Sequence, residues 1–147
     1  MEPLQLIEAN AADAAWAARL TEANMAVYYR RNGLHWNPPA FTVQWAHCEN
    51  WRVQCGDRAA GFVSLDSDGQ FLYLRDLQLI DSCQGRGLGA QILCWALQIA
   101  ARRRLAGARL KVFADNPAQR LYRRHGFVEV GEEGALLRLE HRFAPKE

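Results

Sequence analysis

A chain of 147 residues with 50% hydrophobic content has the length and apolar fraction of one ordinary globular domain, with a core of its own and no room for a second. A formal net charge of +2 is too small to mark a nucleic-acid binder, and the basic runs Arg102-Arg103-Arg104 and Arg120 to Arg124 read as solvated helix faces. Residues 4–8 read as a strand and 11–24 as a helix, with Ala14, Ala17, Ala18 and Leu20 on a weakly apolar face. Residues 25–31 read as a second helix closed by Asn32-Gly33, and Pro38-Pro39 opens a short third over 40–47. Three strands follow, 51–55, 59–66 and 71–80, separated by turns at Gly56-Asp57 and Ser67-Asp68-Gly69. In the longest, alternation puts Leu72, Leu74, Asp76, Gln78 and Ile80 on one face and Phe71, Tyr73, Arg75, Leu77 and Leu79 on the other. Arg75 and Asp76 therefore diverge unless a bulge breaks the alternation.

The clearest helix covers 87–105, where Leu88, Ile92, Ala96 and Ile99 recur at helical spacing and Leu93, Leu97 and Ala100 widen the stripe. Three arginines in its last turn suit the helix dipole, and Gly107 reads as its stop. A strand over 109–113 comes next. Asn116 then caps a helix with Pro117 in its first position, running to His125 and stopped by Gly126. Strands 127–130 and 135–143, turned by 131–134, complete the chain. This order predicts an α+β fold: a mostly antiparallel central sheet, helices on both faces, and one right-handed parallel β-α-β crossover over 71–113. The expectation is a single domain over 1–147.

No window reaches the roughly 18 apolar residues of a membrane span, and Met1-Glu2-Pro3-Leu4 lacks the basic start and apolar run of a signal peptide. Cys48, Cys55, Cys83 and Cys94 form no C-x-x-C pair and no zinc spacing with histidine, so free thiols in a reducing cytoplasm, and no metal, are expected. Cys83 has one further reading, as a nucleophile, because it precedes a Gly-rich turn and a helix start.

The chemistry concentrates in Gln84-Gly85-Arg86-Gly87-Leu88-Gly89, between a strand and a helix. Glycines at 85, 87 and 89 let the backbone bend tightly and approach a ligand. The first N–H groups of the following helix have no internal partner, and with the dipole they form an anion site suited to a diphosphate. Arg86 could add charge. Without Gly-Lys-Ser/Thr this is not a P-loop. Gly85, Gly87 and Ala90 also fit a dinucleotide-binding spacing, but that fold wants an acidic residue about 20 positions on, where Leu105 stands, and a first-strand location.

The turn and the later stretch Asn116-Pro117-Ala118-Gln119-Arg120-Leu121-Tyr122-Arg123-Arg124-His125-Gly126-Phe127 together resemble the two ordered signatures of the GNAT superfamily of N-acetyltransferases. The strong match covers about residues 71 to 130. The resemblance implies acetyl-coenzyme A as co-substrate and an amine of a small molecule or peptide as acceptor, attacked directly. It implies that the amides of Gln84, Gly85, Arg86, Gly87, Leu88, Gly89 and Ala90 hold the diphosphate. The pantetheine arm would run along Leu77, Gln78 and Leu79 as an extra strand. Leu77 N–H would bond the thioester oxygen, Asn116 the pantetheine, and Tyr122 would protonate the leaving thiolate. Nothing in the sequence requires nucleic acid or membrane as partner, and monomer and homodimer both fit.

The sequence departs from the family where a base is expected. Arg75 and Lys111 stand at positions where many members carry a glutamate. Asp76 is the nearest carboxylate, while Glu22, His35, His47 and a water chain are further routes for the proton, so the base stays unassigned. A coenzyme A-binding module without catalysis and a nicotinamide-dependent oxidoreductase are the alternatives.

Overall fold

Among the described residues, alternating apolar residues broken by glycine turns give seven strands, and four stretches form α-helices. The structure, a computed structural model, describes residues 3–145. The strands are β1 (Leu4–Glu8), β2 (Glu49–Cys55), β3 (Arg58–Ser67), β4 (Phe71–Leu79), β5 (Gly107–Phe113), β6 (Val128–Glu133) and β7 (Leu136–Arg142). The helices are α1 (Asp13–Arg31), α2 (Pro38–His47), α3 (Leu88–Arg102) and α4 (Gln119–Arg124). The sheet order is β1-β2-β3-β4-β5-β7-β6, with β4 and β5 parallel. The pairs β1-β2, β2-β3, β5-β7 and β6-β7 are antiparallel, so the fold is the mixed α+β type with the parallel crossover read from the sequence. Contacts divide the chain into two compact units, residues 3–65 with 75–88, and residues 66–74 with 89–145.

In the first unit, β1 lies antiparallel on β2, from Leu4 opposite Cys55 to Glu8 opposite Trp51. Ala17 of α1, Phe41 of α2 and Phe62 of β3 form one buried cluster in it, with Trp16, Trp36 and Trp45 packed around them. The two helices expected over 11–24 and 25–31 are one continuous helix, because no glycine or proline interrupts them. Asn24 does not end a helix; its side chain turns inward to β4. The helix ends at Asn32, whose Nδ2 donates to Tyr28 O at 2.8 Å, and Gly33 follows at φ +67°. Asn37 caps α2 by accepting from Ala40 N–H at 3.1 Å, with prolines in the first positions where no N–H is needed.

In the second unit, the start of β4 pairs with β5 from Phe71 opposite Gly107 to Leu74 opposite Leu110. Ile92, Leu93, Ala96 and Ala100 of α3 are buried, as their spacing predicts. The end of α3 differs from expectation. Arg104 takes the left-handed conformation at φ +59°, Leu105 N–H donates to Ala100 O at 3.0 Å, and Arg104 N–H donates to Ala101 O at 3.0 Å. That is a Schellman closure with arginine in the position glycine usually holds. Gly107 instead opens β5, where a Cβ would overlap the carbonyl of His141. Gly131 likewise is not in the last turn; it lies in β6 opposite Arg138, whose guanidinium occupies the space a side chain would need. The hairpin turns at Gly134, φ +60°.

Candidate active site

A single 3-10 turn, Asp81–Cys83, leads from β4 into the Gly-rich segment. Gly85 and Gly87 adopt φ +74° and +80°, with open space where a Cβ would stand, so backbone conformation rather than crowding calls for glycine. Gly89 differs: a Cβ there would come within 3.0 Å of Leu121 Cδ2, and its small size serves the packing of α3 on α4. Gln84 N–H donates to Asp81 O at 3.2 Å, which removes it from the expected set of free amides. Among the described residues, the N–H groups of Gly85, Arg86 and Gly87 donate to no protein acceptor. The first N–H groups of any helix have no partner within it, so the start of α3 adds potential donors that follow directly in the chain. Arg86 is exposed beside them.

Among the described residues, the second half of β4 has no strand paired on its β5 side, a free edge. Parallel pairing with β5 ends at Leu74, while β4 continues to Leu79. At the hairpin end Phe71 C=O accepts from Asp68 N–H at 3.3 Å, and at the far end Ile80 N–H donates to Ala60 O at 2.8 Å. Both groups turn toward β3 although an odd number of residues separates them, so one residue of β4 breaks the alternation, as a bulge does. Past that point Ile80 presents its N–H to β3 and Leu79 presents its carbonyl to the other edge. Leu79 O is occupied there by Asn24 Nδ2 and Gln84 Nε2, each at 3.0 Å.

The side chains of Asp76 and Gln78 meet on one face. Gln78, 8% exposed, donates Nε2 to Asp76 Oδ1 at 2.7 Å and accepts at Oε1 from Asn24 Nδ2 at 3.1 Å. Asp76 keeps partial exposure as a residue, but its carboxyl is enclosed, and desolvation pushes its pKa up to about 6. The Gln78 amide and the Leu77 N–H oppose that rise. The Leu77 amide thus bears on Asp76. Tyr29 of α1 has its phenol pKa raised, first by burial and then by the Asp76 charge, and its ring lies 6.3 Å from that of Trp36. Glu22, His35, His47 and Arg75 are exposed.

The second unit holds Asn116, Tyr122 and Lys111. Asn116 Oδ1 accepts from Ala118 N–H at 2.9 Å, closing a turn before α4, which starts at Gln119 and not at Pro117. The Nδ2 of Asn116 has no protein partner among the described residues. Tyr122 is half-buried with its ring edge-on to Phe127 at 6.1 Å. Its carbonyl accepts from His125 N–H at 3.0 Å and Phe127 N–H at 3.1 Å, a closure that needs Gly126 at φ +85°. A Cβ at Gly126 would stand 2.8 Å from His141 Nδ1, so histidine fills the space glycine leaves. Lys111 pairs with Glu133 at 2.8 Å, and its pKa is raised chiefly by that bond, which excludes it as a base at neutral pH. Cys83 is buried, Cys94 is exposed, and all four cysteines are free thiols. Among the described residues no group of three or more His, Cys, Asp and Glu could hold a metal ion, and no helix is long and apolar enough to cross a membrane.

Sequence reasoning missed Asn24, and it named Gln78 only for its backbone beside the pantetheine arm, not for the side-chain bond to Asp76. A neutral amide carries no chemical signature, and Asn24 does not stand out on α1, whose inner side also holds the polar Thr21.

An acetyltransferase from Thermus thermophilus shares this fold at TM-score 0.75 and 20% identity, over 97% of this chain and all (100%) of that one. The ribosomal-protein-S18-alanine N-acetyltransferase of Escherichia coli matches at TM-score 0.72 and 18% identity, over 98% of this chain and 97% of that one. The PaiA N-acetyltransferase of Thermoplasma acidophilum, in complex with coenzyme A, matches at TM-score 0.73 and 14% identity, over 96% and 99%. No curated protein matches the sequence. The model of the acetyltransferase (GNAT) family matches residues 14–127, the span that carries β4, the Gly-rich turn and Tyr122. The chain therefore belongs to the acetyltransferase (GNAT) family and is an acyltransferase.

Proposed function

We propose that this acyltransferase moves the acetyl group of acetyl-coenzyme A to a primary amine of a small molecule or peptide, by direct attack within one catalytic domain. Acetyl-coenzyme A is the acyl donor, and amines are the acceptors of the family. The observation that carries the reading is the donor cluster at Gly85, Arg86, Gly87 and the start of α3, next in the chain to a strand with a free edge. Amides aimed outward at a helix start suit the diphosphate. The free edge at Leu77 suits an extended, amide-bearing arm, which pairs as a strand would. Leu79 offers only its N–H to that arm, since its carbonyl is taken. The Nδ2 of Asn116 is a donor with no protein partner among the described residues, as a pantetheine contact requires.

In the reaction, the amine nitrogen attacks the thioester carbon, the C–N bond forms, the C–S bond breaks, and the sulfur leaves as a thiol. An ammonium has no lone pair, so a proton must first leave. Asp76 is the group proposed to take it, because a carboxyl near pKa 6 is charged at neutral pH yet basic enough to accept a proton. Leu77 N–H stabilises the developing oxyanion, and Tyr122 protonates the sulfur. An acceptor on a peptide has support in the Escherichia coli neighbour, whose name specifies an alanine of a ribosomal protein. Four free thiols support a reducing compartment such as the cytoplasm. The test is amine-dependent release of free thiol across small amines and peptide N-termini; the reading fails if no amine accelerates release over water.

A further inference from the structure

Gln78 is a buried amide on a strand, and such a group is retained only when its hydrogen bonds are met. Here they are met in one orientation. Its Nε2 faces Asp76 Oδ1 at 2.7 Å and its Oε1 faces Asn24 Nδ2 at 3.1 Å; flipping the amide would set oxygen against carboxylate and NH2 against NH2. Asn24 fixes the choice because Nδ2 has two hydrogens and both are used, one on Gln78 Oε1 and one on Leu79 O at 3.0 Å. That same carbonyl takes Gln84 Nε2 from the Gly-rich turn at 3.0 Å. A line of bonds thus runs from the turn through Leu79 O, Asn24 and Gln78 to one carboxylate. Apolar side chains would fill these positions at lower cost if packing were the whole purpose.

We infer that Asn24 and Gln78 are positioning residues, which hold a donor against Asp76 so that its carboxylate is aimed and kept available, and which tie it to the turn that binds the acyl donor. The inference rests on the reading of Asp76 as the base. Tyr29 is the titratable group that α1 turns to Asp76, and its raised pKa keeps it protonated throughout the range in which Asp76 titrates. Removing the Gln78 donor withdraws a bond that favours the charged carboxylate, so the midpoint of Asp76 must rise.

The test uses Gln78→Met, Asn24→Leu and Asp76→Asn. Two readouts are followed: the Asp76 carboxyl carbon, titrated by NMR in the free protein, and the pH profile of kcat/KM for the amine at saturating acetyl-coenzyme A. Gln78→Met is expected to raise the NMR midpoint by about one pH unit and to move the acid limb of the profile with it. Asn24→Leu is expected to shift both in the same direction by less, and it carries the test alone if Gln78→Met does not fold. A midpoint that stays in place in the folded variants overturns the inference. A midpoint that moves supports it, and full activity of Asp76→Asn would then overturn only the assignment of Asp76 as base. A merely structural role would lower thermal stability and leave the acid limb of the profile unmoved.

Discussion

Asp76 combines an enclosed carboxyl with a side-chain bond to Gln78, and the proposed reaction gives it the part of the base. Its pKa stands at about 6 in the fold against 3.8 for an unperturbed group. The folded state therefore binds this proton more tightly than the unfolded state, and stability falls as pH rises through that window. The penalty is absent below about pH 4 and fully present above about pH 7. The displacement from 3.8 to about 6 corresponds to about 3 kcal/mol as an upper figure. Asp76→Asn should accordingly stabilise the protein against urea by up to about 3 kcal/mol at pH 8 and by almost nothing at pH 4, while kcat/KM for the amine falls about a hundredfold. Equal stabilisation at both pH values would show that desolvation of the charge is not the cause. Tyr122 belongs to the same scale. A phenol can protonate a departing thiolate, and Phe keeps the edge-on packing against Phe127. Tyr122→Phe should retain the fold and most coenzyme A affinity and lower turnover by about tenfold to a thousandfold. Undiminished turnover, with chemistry shown to be rate-limiting, would leave Tyr122 as packing.

The Gly-rich turn shows how much one element reveals through sequence. Gly85 and Gly87 were legible as backbone requirements because positive φ leaves few other residues possible. Gly89 looks identical in the sequence, yet it answers to Leu121, a contact that only the approach of α4 creates. The two roles separate by experiment. Gly87→Ala should weaken coenzyme A binding about tenfold and lower stability by about 1 kcal/mol, from left-handed strain. Gly89→Ala should act mainly on stability, through Leu121. Calorimetric titration with coenzyme A beside thermal melts distinguishes them, and unchanged affinity in Gly87→Ala would remove the turn from the binding site. Elsewhere, period and breakers placed β1, α2 and the core stripe of α3 closely. They failed where a side chain overrode the local rule. Arg104 closes α3 in a left-handed conformation that invites glycine, so the sequence pointed past it to Gly107. On β4, the Asn24–Gln78–Asp76 line depends on a contact between residues 54 positions apart in the chain and leaves no local trace.

At the scale of the whole molecule, the order of elements was legible because each strand is bounded by its own turn signal, and the parallel pair β4 and β5 followed from the long helical stretch between them. The base and the acceptor were not, because they depend on which N-terminal side chains α1 brings to β4. Ligand linkage provides a global check. Coenzyme A at about 100 times its Kd should stabilise the native state by about 2.7 kcal/mol, and NAD should not. The most direct measurement is amine-dependent thiol release by the purified protein, with the mass of the product amine and of the intact protein recorded in the same reaction. Direct transfer requires one thiol released per N-acetylated amine, with the protein mass unchanged throughout. An acetyl group that forms on Cys83 and is then chased to the amine would contradict it.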